Sequence, residues 1–137
     1  MKIAKEYKWE MGHRLTFHKG KCKNLHGHTY KMRVELTGEC DVNGMVLDYY
    51  NIDDLIFPVL EELDHGVIVY KNDVDLINLL KVINSKHVIL NNECTAENIT
   101  KYILERIKKT AFPNNISSVK IRLYETGDAY AEDSVCL

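Results

Sequence analysis

With 137 residues, 45% hydrophobic and 28% charged, the chain is long enough for one domain with a real core and too short for two. A net charge of −2 argues against a generally basic nucleic-acid binder, and no apolar run approaches the roughly 18 residues of a membrane span. Met1 to Glu6 carries charges throughout and has no apolar core of a signal peptide; with Cys22, Cys40, Cys94 and Cys136 scattered, reduced thiols and a cytoplasmic location are expected.

Residues 2–13 read as a first strand, with Ile3, Tyr7, Trp9, Met11 and His13 on one face and Glu6, Lys8 and Glu10 on the other. After a Lys- and Gly-rich loop, a second strand starts at His26. Its apolar face is His26, His28, Tyr30, Met32, Val34 and Leu36; Thr29, Lys31, Arg33, Glu35 and Thr37 lie opposite. Asp41-Val42-Asn43-Gly44 is a turn, and Met45 to Asp48 reads as a short strand. Ile52, Leu55, Ile56, Val59, Leu60 and Leu63 then make an amphipathic helix, capped by Asn51 and stopped by Gly66, with Pro58 as its discordant residue. Further expectations are a strand over 67–70, a short helix from Asp73 and a strand over 87–90. A stronger helix follows, capped by Thr95, then a strand over 118–125 and an edge strand in the tail from Gly127. Residues 1–137 therefore read as a single α+β domain.

The chemistry concentrates at the ends of the first two strands. Histidines at i and i+2 point the same way only in extended backbone, and antiparallel pairing brings His13 beside His26 and His28. Three imidazoles leave a coordination position open, as catalytic rather than structural zinc sites do. Cys22, separated from His26 by three residues, either closes that shell as a fourth ligand or stays free. It lies among Arg14, Lys19, Lys21 and Lys23, and neighbouring cations favour the thiolate.

Two further groups stand out. Asp64-His65 ends a helix, where an imidazole commonly serves as a dipole partner; alternatively the carboxylate orients the imidazole for proton transfer. Glu125 occupies the inward register of a strand of Val119, Ile121 and Leu123, so either a basic side chain or a ligand must answer it. A carboxylate is a natural bidentate acceptor for a 2-amino-4-oxo-pyrimidine edge. His18 and His87 have no such company and read as local hydrogen-bonding residues.

The assembled pattern resembles the tetrahydropterin synthase family. The resemblance rests on His13-Arg14-Leu15, Cys22 to Tyr30, Gly44 to Tyr49, Leu63-Asp64-His65, Thr95-Ala96-Glu97-Asn98 and Tyr124-Glu125-Thr126. It implies zinc on His13, His26 and His28, Cys22 as proton-transferring base with Asp64 and His65 as relay, and Glu125 as pterin anchor. The Thr95 region would complete the pterin pocket from a neighbouring subunit. It also implies a tunnelling fold, a four-stranded antiparallel sheet with two main helices on one face, assembled as trimers or hexamers.

The three-residue spacing from Cys22 to His26 is similar to that of the 6-carboxy enzymes. These take 7,8-dihydroneopterin triphosphate to 6-carboxy-5,6,7,8-tetrahydropterin with release of triphosphate and acetaldehyde, in queuosine and 7-deazapurine biosynthesis. The rivals are the 6-pyruvoyl synthase reaction and a non-catalytic zinc or pterin-binding module. Three features depart from the family's pattern: Glu10-Met11-Gly12 before His13, Cys94 where proline is common, and Gly66 to Val69 after His65.

Overall fold

The computed structural model describes residues 1–137 as one mixed sheet with helices packed on it. In chain order the elements are β1 (Lys2–His13), β2 (His26–Gly38), α1 (Tyr49–Leu63), β3 (Gly66–Tyr70), α2 (Val74–Val82), β4 (His87–Leu90), α3 (Ala96–Lys108), β5 (Ile116–Thr126) and β6 (Ala129–Cys136). The sheet order is β4-β3-β1-β2-β5-β6. Its long antiparallel part, β1-β2-β5-β6, is set by alternation. Tyr7, Trp9, Met11, Tyr30, Met32, Val34, Leu36, Val119, Ile121 and Leu123 are all buried on one side. They pack against Ile52, Ile56, Val59, Leu60 and Leu63 of α1 and Ile99, Ile103, Leu104 and Ile107 of α3 in a single core.

The expected four-stranded antiparallel sheet with two helices is thus corrected to six mixed strands and three helices. β3 and β4 lengthen the sheet beyond β1, both running parallel to it. β3 meets β1 over only two pairs, Met11–Gly66 and Gly12–Val67, so β1 keeps a free edge from Lys2 to about Trp9. α2 covers this extension with its own small cluster of Val69, Leu76, Ile77 and Leu80.

Other local expectations shift for identifiable reasons. Met45 to Asp48 forms no strand: the Asp41 carboxylate accepts from Asn43 N and Met45 N at 2.9 Å each, and the chain turns there instead. Asp48, not Asn51, caps α1, its side chain accepting from Tyr50 N at 2.8 Å. α1 runs through Pro58, because Pro58 and Asp54 lie on its exposed face, where the helix bond that proline removes costs least. Gly66 does not stop the helix: His65 itself takes the left-handed conformation (φ 58°), and Gly66 opens β3.

Arg14, next in chain to His13, ties the end of β1 to α2. Its Nε and terminal nitrogen reach the two Asp73 carboxylate oxygens at 2.6 and 2.5 Å, and Asp73 also caps α2. That hydrogen-bonded pairing holds the Asp73 carboxyl below the usual range. Asp73→Asn keeps a capping side chain and loses the charge. At pH 7 it is expected to cost about 2 kcal/mol in urea unfolding. Because the folded value is depressed, the charge contributes fully above the ordinary carboxylate range and is lost as pH falls through the native value. The gap between wild type and variant should therefore close in acid, below about pH 4.

Candidate metal and active site

The β1–β2 register pairs His13 with His26 and Met11 with His28. The three imidazole centroids lie 4.7, 5.2 and 4.9 Å apart, and one ligand atom from each falls within 4.8 Å of the others. His13 is buried, while His26 and His28 are partly exposed. His13 Nδ1 lies 2.8 Å from Cys94 O and His26 Nδ1 lies 2.7 Å from Asn24 O. A carbonyl can only accept, so in each ring Nδ1 carries the proton and Nε2 keeps its lone pair.

Nε2 of His13 and Nε2 of His28 are buried without a hydrogen-bond partner. Burial first, and the neighbouring imidazoles after it, hold both rings below the ordinary histidine value and so neutral. Converging neutral imidazoles with orphaned nitrogens are what a divalent metal requires. The residues fit the ion that the sequence anticipates.

Glu125 stands over this cluster. Its Oε1 lies 3.4 Å from His13 Nε2 and accepts a 3.4 Å hydrogen bond from the Tyr30 hydroxyl. No lysine or arginine forms an ion pair with it, so of the two partners left open for this carboxylate the basic side chain is missing. The β5–β6 register shifts by one between Tyr124 and Thr126, making Glu125 a bulge residue. A bulge re-aims a side chain, here toward the imidazoles. Tyr30 is wholly buried, its ring stacked on Trp9 at 5.6 Å. Burial and the nearby Glu125 carboxylate push its phenol well above the ordinary value, so the hydroxyl stays a donor.

Cys22 sits in a single 3₁₀ turn, Lys21–Lys23, half-buried, with its carbonyl accepting from Leu15 N at 2.9 Å. Asp64 and His65 are elsewhere. His65 N donates to Glu10 O at 2.7 Å, Glu10 N donates to Asp64 Oδ1 at 3.0 Å, and the same carboxylate oxygen lies 2.9 Å from His65 Nδ1. The Glu10 amide above all, with His65 beside it, holds the Asp64 carboxyl below its usual range. His65 lines a cleft of about 430 Å³ together with Glu10, Met11, Gly12, Gly27, His28, Thr29 and Gly66. The side chains of Glu10 and Thr29 alternate with those of Met11 and His28 and point to the polar face, while the cleft itself runs along the end of the β1–β2 ladder and reaches His28. Gly12 and Gly27 face each other there, and a Cβ on Gly27 would come 3.2 Å from Met11 O. Within one chain neither Asp64 nor His65 hydrogen-bonds to Cys22.

Thr95 caps α3, its hydroxyl accepting from Asn98 N at 3.3 Å, and stands one residue from the Cys94 carbonyl that meets His13. The Cys94 thiol itself is pushed up to about 12 by burial and is inert. His18 and His87 make only local bonds, to Gly20 N and Ser85 O. Sequence reasoning missed Tyr30 and the Cys94 carbonyl. Tyr30 had a signal, since it continues the His26–His28 face at the next i+2 step; a backbone carbonyl has none.

Residues 2–134 match the family model described as 6-pyruvoyl tetrahydropterin synthase. The 6-carboxy-5,6,7,8-tetrahydropterin synthase of Haemophilus influenzae is 36% identical over 139 residues, spanning 96% of each chain. Its namesake from Rickettsia bellii is 31% identical over 140 residues, spanning 96% of this chain and 99% of its own. By structure, the chain is similar to 6-pyruvoyl tetrahydropterin synthase from Plasmodium vivax, with a TM-score of 0.79 at 20% identity over 100% of this chain and 98% of that one, which is a likeness of fold.

Metal-free protein given Zn²⁺ at a hundred times its Kd should gain about 2.7 kcal/mol of stability, read as a raised thermal midpoint. His13→Ala and His28→Ala should lose that gain, and Cys22→Ala should keep it. A Cys22→Ala variant that no longer responds would instead mean a closed four-ligand shell.

Proposed function

Because the chain belongs to the 6-pyruvoyl tetrahydropterin synthase family, we propose that it is a zinc-dependent lyase acting on 7,8-dihydroneopterin triphosphate. The product is 6-carboxy-5,6,7,8-tetrahydropterin, with triphosphate and acetaldehyde released, a step toward 7-deazapurines such as queuosine. The observation that carries this reading is the three-imidazole cluster with two orphaned Nε2 atoms beneath a Glu125 that no lysine or arginine answers. The sequence relatives named 6-carboxy synthases, at 36% identity, favour it over the pyruvoyl reaction.

His13, His26 and His28 would hold the zinc. Bound there, it supplies Lewis-acid polarisation of the substrate's side-chain oxygens and acidifies the adjacent C–H. Glu125 accepts the 2-amino and ring N–H donors of the pterin and sets which carbon faces the imidazoles. Cys22, as thiolate, removes the proton from that carbon. His65, held in one orientation by Asp64, receives and returns it. Thr95, beside the carbonyl that orients His13, borders the pterin.

That neither Asp64 nor His65 hydrogen-bonds to Cys22 within one chain supports a relay assembled between copies, Cys22 from one and the dyad from its neighbour. The strand edges available for such an assembly include β1 from Lys2 to about Trp9 and the outer side of β6. A homo-oligomer, trimeric or a pair of trimers, would satisfy both.

Product analysis with 7,8-dihydroneopterin triphosphate decides the reaction. Acetaldehyde should appear in step with triphosphate; triphosphate without acetaldehyde would establish the pyruvoyl reaction, and neither product would leave a binding module. Cys22→Ala and His65→Ala should each lower kcat by about 10²–10⁴ while binding zinc. Refolding the two inactive variants together should restore part of the activity through mixed oligomers. Activity that stays at the level of the separate variants would place the relay within one chain.

A further inference from the structure

Glu125 lies equally close to two partners of opposite consequence. Its Oε1 is 3.4 Å from His13 Nε2, the atom that would face a metal, and 3.4 Å from the Tyr30 hydroxyl. A carboxylate on a bulge, with no lysine or arginine to hold it, would be free to swing toward a cation held by the imidazoles. Tyr30 is the one side chain that donates to it. That ring cannot follow such a swing: it is wholly buried, paired across the strands with Trp9 and stacked on the indole with an interplanar angle of 16°. It also sits edge-on to His28 and His13, at 5.5 and 6.1 Å. The hydroxyl is therefore a fixed donor at a fixed place.

We propose that Tyr30 is a positioning residue, whose hydroxyl holds the Glu125 carboxylate in the orientation that receives the pterin ring and keeps it off the metal. The inference rests on the reading of Glu125 as pterin anchor. Tyr30 touches neither substrate nor metal and acts only through that carboxylate. One oxygen is restrained by the phenol and Oε2 stays open, so the group meets the two N–H donors of the pterin edge without a prior rearrangement.

Equilibrium dialysis of neopterin, on both zinc-loaded and metal-free protein, gives the test. Tyr30→Phe keeps the ring against Trp9 and removes only the hydroxyl. It should raise the neopterin Kd about 3–10-fold, the worth of one long hydrogen bond at 3.4 Å. KM for dihydroneopterin triphosphate should rise in proportion, with kcat within about twofold. Glu125→Gln should weaken neopterin at least as much, and the double variant should match Glu125→Gln alone. An unchanged Kd in Tyr30→Phe, or a loss that adds in full to that of Glu125→Gln, overturns the role of Tyr30 and leaves the anchor standing. If Glu125→Gln itself binds neopterin normally, the anchor fails and this inference falls with it.

Discussion

The pairing of β1 with β2 is the constraint on which the rest of the molecule depends. Along twelve register pairs from Lys2–Thr37 to His13–His26, each inward residue of one strand meets an inward residue of the other. At one end of that ladder the inward pairs are apolar and close the core against α1 and α3. At the other end the same face carries histidine. A slip of one residue would turn His26 and His28 to the polar side and bring Gly27 and Thr29 inward, removing core and metal cluster together. Fold and site are not separable here; the same hydrogen-bond ladder makes both.

Around that ladder the site is built from groups that burial keeps uncharged. His13 and His28 are held neutral, Tyr30 stays protonated, and the Cys94 thiol is inert, all chiefly through desolvation. Glu125 is left as the one carboxylate against this neutral lining. Its presence in an apolar strand makes sense as an acceptor for something that arrives from outside the chain. The exposed dyad of Asp64 and His65 is organised differently, by backbone groups of β1 that clamp it from Glu10.

Much of this was legible in the sequence, because alternation and helical spacing act over neighbouring residues. The faces of β1 and β2, the inward stripe of α1, the Thr95 cap and the grouping of His13, His26 and His28 all follow from it. What was not legible depends on contacts between distant segments. Val67 to Tyr70 and His87 to Leu90 read correctly as strands, yet nothing local says that they join the sheet beside β1 in parallel. Asp48 and Asn51 are both good caps, and only the folded turn before α1 selects Asp48. The left-handed turn at His65 goes against residue preference, since Gly66 was the cheaper place for it. It is imposed by the two hydrogen bonds that bind Asp64 and His65 to Glu10. The bulge at Glu125 likewise needs the β6 register, which no pattern within β5 contains.

The stack of Trp9 on Tyr30 has an optical consequence. Trp9 is the only tryptophan of the chain, and it lies one ring away from the imidazole cluster with its indole N–H buried and unpartnered. Indole emission, excited selectively over that of the eight tyrosines, therefore originates at a single rigid chromophore whose surroundings are the site itself. Quenching, lifetime and spectral position carry no background from elsewhere in the molecule, so the protein holds its own fluorophore for following what enters that site.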